Sequence, residues 1–257
     1  MVSLESYLID YLEKFDVVAE KIVESDDKTP DFLVNQEEKV LIELKEKTDD
    51  EAQHEKKERS FDNNQIFEYA NTSGYRNRLS GIISYGVQQL ESRKRETQSQ
   101  FCFLFIVANG VAPSNQLQQI YSTVYGSKDV VDFGSNSNMA KPCFYAYFSE
   151  FYKHRGVLDG VFVACNGSVF LLMNSLSVNY PDILSSNFYS RFVGKIEIVE
   201  PLELEKKGDI LIADCDVPRN NQDKVKQYVF DKYNIKEGLI VDFPHFVYQS
   251  RIDLNEI

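Results

Sequence analysis

Residues 30–45 read Pro-Asp-Phe-Leu-Val-Asn-Gln-Glu-Glu-Lys-Val-Leu-Ile-Glu-Leu-Lys. Two apolar segments, 31–35 and 39–45, flank the polar triplet Gln36-Glu37-Glu38, the pattern of two strands and a short connection. With 36–38 as the loop of an antiparallel hairpin, Asn35 faces Lys39, Val34 faces Val40, Leu33 faces Leu41 and Asp31 faces Glu43. Directly opposed residues share a face of the sheet, with Cβ atoms about 4.5–5.5 Å apart. Lys45 lies two residues beyond Glu43 and points to that same face. Two carboxylates and an ammonium thus converge at one end of the hairpin. A slip of one residue would carry Asp31 to the other face, so the convergence depends on register.

Working outward, residues 3–15 carry Leu4, Tyr7, Leu8, Tyr11, Leu12 and Phe15 at helical spacing behind a Ser3 N-cap. Residues 17–23 predict a strand, and 25–30 a polar turn. After the hairpin, 46–64 are charged, a solvated connection or a helix start. Residues 78–92 predict a second amphipathic helix, with Leu79, Ile82, Ile83, Gly86, Val87 and Leu90 on its stripe. Residues 101–108, Phe-Cys-Phe-Leu-Phe-Ile-Val-Ala, are apolar throughout, as in a strand covered on both faces. A helix near 115–125 follows. The fold class expected is α/β, a mixed sheet flanked by helices. Further on, 158–165 and 168–173 flank Asn166-Gly167, a hairpin signal, and 174–190 read as a loop with short helical turns. Strands are expected at 192–199, 209–214 and 238–243, and a helix at 221–233. No clear linker divides the chain, so a core over residues 1–125 and a C-terminal α+β elaboration over 126–257 are expected to pack as one domain.

Adjacent carboxylates in a sheet repel unless something binds between them. A divalent cation is the natural occupant, since Mg²⁺ takes one or two carboxylates and keeps waters or phosphate oxygens. Lys45 beside such a site could orient or deprotonate a water, or stabilise charge on a phosphoryl group. These are the parts that phosphodiester hydrolysis requires.

The arrangement resembles the PD-(D/E)xK nuclease superfamily, the restriction-endonuclease-like fold. The matching residues are Pro30-Asp31 at the start of one strand and Glu43-Leu44-Lys45 at the end of the next. An opening helix precedes them, and a helix ending in Gln89-Leu90 and the strand 101–108 follow, in the family's order of helix, three strands, helix, strand. The resemblance covers residues 1–125 only. It implies cleavage of DNA, or less often RNA, with Mg²⁺ or Mn²⁺ as cofactor. Asp31 and Glu43 would be the metal ligands and Lys45 the catalytic lysine. It further implies the main-chain carbonyl of Leu44 as a ligand, an acid from the first helix (Glu5, then Asp10, with Glu20 of the first strand third), and Gln89 near the site. Gln88 points away. A second match, Pro181-Asp182 with Glu205-Lys206-Lys207, lacks an apolar strand leading into its acid.

The remaining composition sets bounds. The 257 residues carry 28 Lys+Arg against 40 Asp+Glu, a net charge of −12, which argues against a general nucleic-acid coat. Four cysteines without CxxC spacing and only three histidines argue against a zinc site. Cys102 and Cys165, inside apolar runs, read as buried thiols, and the expected location is the reduced cytoplasm. No apolar run is long enough for a membrane span, and Met1–Glu5 does not read as a secretory signal. Asp209, Asp214 and Asp216 read as acids capping strand ends, and Arg93-Lys94-Arg95 and Lys153-His154-Arg155 as solvated clusters. The aromatic run Phe144, Tyr145, Tyr147, Phe148, Phe151, Tyr152 reads as core packing in the first instance and as a base-stacking surface in the second. A metal-dependent nuclease is the leading function, with a homodimer or an accessory protein as the expected partner beyond nucleic acid. The alternatives are a catalytically inactive module on the same fold that binds a partner protein, and a phosphoesterase acting on nucleotides.

Overall fold

A strand that is apolar on both faces needs a layer on each side, and the fold supplies two. The computed structural model describes residues 3–23, 30–134 and 140–241. The chain opens with α1 (Leu4–Glu13), where the Ser3 hydroxyl accepts the Ser6 N–H at 3.0 Å, and continues as a meander of β1 (Ala19–Lys21), β2 (Phe32–Asn35) and β3 (Lys39–Lys47). Then come α2 (Glu51–Asp62), α3 (Asn77–Thr97), β4 (Phe101–Ala108) and α4 (Pro113–Tyr125). The second half adds β5 (Lys128–Asp132), β6 (Lys141–Phe144), α5 (Glu150–Lys153), β7 (Gly160–Cys165) and β8 (Ser168–Met173). It ends with α6 (Tyr180–Leu184), α7 (Asn187–Ser190), β9 (Glu197–Val199), α8 (Pro201–Lys207), β10 (Leu211–Ile212), α9 (Gln222–Lys232) and β11 (Gly238–Val241).

The protein is α/β, with two mixed sheets flanked by helices. Seven strands form one sheet in the order β1-β2-β3-β4-β7-β8-β9, and four form another in the order β10-β6-β5-β11. The single sheet expected from the sequence is thus two. The larger one draws on both sides of residue 125, because β7 lies parallel to β4 and brings β8 and β9 with it. The smaller one is built wholly from residues after 125. Its strands β5 and β6 were not anticipated: Lys128–Asp132 and Lys141–Phe144 are short, half polar and interrupted by Pro142, so their pattern is weak.

The hairpin register is the expected one: Phe32 pairs Ile42, Leu33 pairs Leu41, Val34 pairs Val40 and Asn35 pairs Lys39. Alternation along β3 then sorts its side chains. Val40 and Ile42 join the layer under α1 with Leu8, Leu12 and Phe32. Leu41 joins the layer under α3 and α4 with Leu79, Ile83, Val87, Leu90 and Leu104. Glu43 and Lys45 continue the Leu41 face. Helix α3 packs along β3 on that side and starts and ends beyond the expected 78–92.

Helix α2 falls within 46–64, for which a helix start was one of the two expectations, and α8 falls in a charged stretch to which no element was assigned. The strand expected at 192–199 is reduced to β9 by the turn around Gly194, whose φ is +72°. The polar turn expected at 25–30 and the last residues of the strand expected at 238–243 fall largely outside the described residues. Among the described residues all four cysteines are free thiols, with Cys102, Cys143 and Cys165 buried. No helix among them is long and apolar enough to cross a membrane.

Candidate metal and catalytic site

At the point where β2 begins, β3 continues beside β4, and the α3-facing row of β3 changes from Leu41 to Glu43. Glu43 is fully buried, a carboxylate where the alternation calls for an apolar residue. Its Oε2 accepts the Asp31 backbone N–H at 3.1 Å, and its Oε1 forms an ion pair with Lys45 Nζ. Asp31 answers from the end of β2, its Oδ2 accepting the Leu44 N–H at 2.8 Å. Both carboxylates are therefore held by backbone donors of the opposing strand. Within a strand the N–H and C=O of one residue point to the same neighbour. The Leu44 carbonyl is thus directed to the Asp31 side as well, past the end of β2.

Helix α3 closes the third side. Lys45 Nζ donates to Gln89 Oε1 at 2.7 Å and lies 5.1 Å from the centroid of the Tyr85 ring. Tyr85 and Gln89 are four residues apart, so they share a helix face. Only 17 % of the Lys45 side chain is exposed, so this ammonium is a wall of the site and not a surface charge.

The electrostatics follow from this crowding. Burial is the main cause that pushes the Glu43 carboxyl up, to about 8; Lys45 draws it down and the neighbouring Asp31 charge pushes it further up. Burial thus keeps a proton on Glu43 near neutral pH, and a cation held between the two carboxyls would displace it.

Asp31, Glu43, Lys45 and Gln89 are brought together as the sequence suggested, and Leu44 lies between them. Glu5 is not among them. It pairs with Lys21 Nζ at 2.8 Å, and Lys21 sits opposite Phe32, on the α1 face of the sheet. Glu43 faces α3. Asp10 and Glu20 are both exposed. Among the described residues no group of three or more His, Cys, Asp or Glu side chains converges to hold a metal. The donor set is two carboxylates and a carbonyl, which suits Mg²⁺ or Mn²⁺ retaining several waters better than it suits a fully caged ion.

No family model, curated protein or solved structure matches the chain.

The second motif match disperses. Asp182 lies in α6, and Glu205 in α8 is bound by Lys232 at 2.8 Å and by the Tyr233 hydroxyl. Asp214, of the acid trio, is neutralised by Lys232 and Tyr228, each at 2.8 Å.

Two residues near the site were not read as part of it, Gly86 having been placed only on the buried stripe of its helix. Tyr85 had a legible signal, its i, i+4 relation to Gln89. Gly86 had another: a mid-helix glycine costs about 1 kcal/mol against Ala and so marks a close approach. A Cβ at Gly86 would lie 2.8 Å from Leu104 Cδ2 and 3.3 Å from both Glu43 Cγ and Lys45 Cε. This glycine lets α3 settle directly on the two charged side chains. Gly86→Ala is expected to destabilise the fold by up to about 2 kcal/mol, because overpacking costs about 1–3 kcal/mol and the gain in helix propensity returns about 1. A lower urea midpoint with an unchanged slope would show it. A midpoint above wild type would mean that the helix does not press on Leu104, Glu43 and Lys45 at this position.

Proposed function

We propose that the protein is a Mg²⁺- or Mn²⁺-dependent nuclease that hydrolyses phosphodiester bonds, with DNA as the first substrate class and RNA as the second, on a restriction-endonuclease-like core. The observation that carries the reading is the convergence of Asp31, Glu43, Lys45 and Gln89 in a recess where Glu43 is fully buried. The order α1, β1–β3, α3, β4 agrees with that core, with α2 inserted before α3.

Asp31 and Glu43 would hold the cation, with the Leu44 carbonyl as a third donor. When bound, the cation would neutralise charge on the phosphoryl group and make a water more acidic. The chain's own residues do the rest. Asp31 and Glu43, fixed by the Leu44 and Asp31 amides, set the position of the site without reorganisation. Lys45 holds its ammonium between Glu43 and Gln89, where it can donate to a developing phosphoryl oxygen or orient the attacking water. Gln89 is a positioning residue: it holds Lys45 from α3. A duplex substrate would need a second such site, from a second copy of the chain or from an accessory protein.

The test pairs cleavage with metal binding. Wild-type protein is incubated with single- and double-stranded DNA and RNA in Mn²⁺, in Mg²⁺ and in chelator, beside Asp31→Asn. The Asn carboxamide oxygen can still accept from Leu44, so the variant should fold. Metal-dependent cleavage is expected for wild type and not for the variant. At a metal concentration a hundredfold above Kd, wild type should also gain about 2.7 kcal/mol of stability, read as a rise in Tm that the variant lacks. Absence of both cleavage and any Tm rise in wild type would overturn the proposal.

A further inference from the structure

A second recess lies on the other flank of α3. It is a pocket of about 510 Å³, within the size range of small-molecule sites, and its walls include Tyr75, Phe148, Tyr152, Lys153, Arg219 and Asn220. Three features give it a chemical character.

The first is charge. Arg219 is only 4 % exposed. Its guanidinium lies 3.7 Å from the centroid of the Tyr152 ring and donates to the carbonyls of Ala213, at 2.7 Å, and Val217. Among the described residues no carboxylate pairs with it, and its Nε is buried without a hydrogen-bond partner. A buried cation in this state calls for an explanation. Among the described residues the only carboxylate in the wall is Glu150, and its needs are met: Tyr75, Ser80 and Ser84 hydroxyls donate to it at 3.2, 2.7 and 3.0 Å, with Lys153 Nζ at 3.6 Å and His154 Nε2 at 3.3 Å. Arg219 and Lys153 against Glu150 leave the wall with one net positive charge, in a chain whose net charge is −12.

The second is aromatic surface. Of the run 144–152, Phe144, Tyr145 and Phe151 are core. Phe148 is 43 % exposed at the pocket, beside the Tyr75 ring at 6.2 Å. Arg155 and Arg219 both pack on the Tyr152 ring, and Phe148, with the Tyr147 ring edge-on at 4.7 Å, is the most exposed aromatic of the wall.

The third is location. Ser80 and Ser84, which bind Glu150, and Tyr85 and Gln89, which flank Lys45, belong to the same helix. At about 1.5 Å of rise per residue, Ser84 and Gln89 are about 7.5 Å apart along the axis.

We propose that this pocket binds an unpaired nucleotide, its base stacked on Phe148 and its phosphate held by Lys153 and the Arg219 charge. The same chemistry can arrive as a free mononucleotide or as one residue of a single strand lying along α3. The pocket stands on its own residues, whether or not the Asp31–Lys45 site cleaves.

The test uses the full chain in chelator, so that no cleavage occurs. Calorimetric titrations compare adenosine 5′-monophosphate, adenosine, inorganic phosphate and a short oligothymidylate. The monophosphate is expected to bind at least tenfold more tightly than adenosine or inorganic phosphate. Phe148→Ala, a change at an exposed ring, is expected to weaken it about tenfold, and Lys153→Ala to weaken it by a smaller factor. Lys45→Met should leave it unchanged. Melting curves of each variant confirm folding. If the oligothymidylate binds more tightly than the monophosphate and loses the same factor on Phe148→Ala, the source is a strand; if not, it is the free nucleotide. Monophosphate binding no tighter than inorganic phosphate, or insensitive to Phe148→Ala, or abolished by Lys45→Met, would overturn the proposal. None of these outcomes bears on whether the first site is a nuclease.

Discussion

Lys45→Met is expected to lower the cleavage rate by about 10²–10⁴-fold, the range lost when a positioned proton donor or acceptor is removed. Methionine is the informative replacement because Lys45 is mostly buried, against Glu43, Gln89 and Tyr85. An alanine would add a cavity to the chemical loss, whereas the methionine stem keeps the volume. The variant also deprives Glu43 of the one ammonium drawing its carboxyl down, so Glu43 keeps its proton to still higher pH. Metal binding at neutral pH should weaken as a result. Raising the pH should then restore metal binding, read as the Mn²⁺-induced Tm rise, without restoring cleavage. That separation would assign Lys45 to the chemistry as well as to charge balance. Recovery of both together would limit Lys45 to charge balance, and unchanged cleavage at neutral pH would remove it from the mechanism.

The part of this site that was legible in the sequence is the part governed by strand periodicity. A loop of 36–38 and apolar residues at 32–34 and 40–42 leave one register that buries both faces, so the approach of Asp31 to Glu43 followed from counting. Gln89 was legible for a similar reason, as the border residue of a helical stripe. The position of Glu5 was not, because the stripe of α1 says which residues face the sheet but not which face of the sheet they meet. Lys45 was legible as a member of the site, but its burial under α3 was not, because that packing depends on Gly86, a contact 43 residues away from Glu43 in sequence. The larger sheet's extension through β7, β8 and β9 was hidden for another reason. The hairpin 160–173 was recognisable, but parallel pairing of β7 with β4 is a long-range choice that no local pattern announces. The pocket between Phe148 and Arg219 shows the same limit: its walls come from residues 75, 148–150, 152–153 and 218–220, and only the aromatic run and the basic cluster at Lys153 marked it in advance.

Glu43→Gln carries the other large effect, and its sign is set by the direction of the Glu43 shift. The carboxyl is raised from its ordinary 4.5 to about 8, chiefly by burial. Between those values the folded protein holds a proton that the unfolded chain has released. Stability of the metal-free protein should therefore fall as pH rises from about 4.5, and level off above about 8. Glutamine reproduces the protonated carboxyl in shape and charge, so the variant should lack this fall and melt above wild type at pH 8. At this chain length each 1 kcal/mol corresponds to about 2–4 °C of Tm. Metal reverses the comparison. A cation needs Glu43 ionised, so binding at pH 6–7 should release about one proton, seen as a dependence of the calorimetric heat on the ionisation enthalpy of the buffer. Wild type with Mn²⁺ should gain more stability at pH 8 than at pH 6, and Glu43→Gln should gain none at either. The two readings of the fold then part. A nuclease site sacrifices stability at neutral pH to keep a buried acid ready for a cation, and recovers it when the cation binds. A module without metal chemistry would show the same pH-dependent loss with no recovery, and Glu43→Gln would stabilise it at no functional cost.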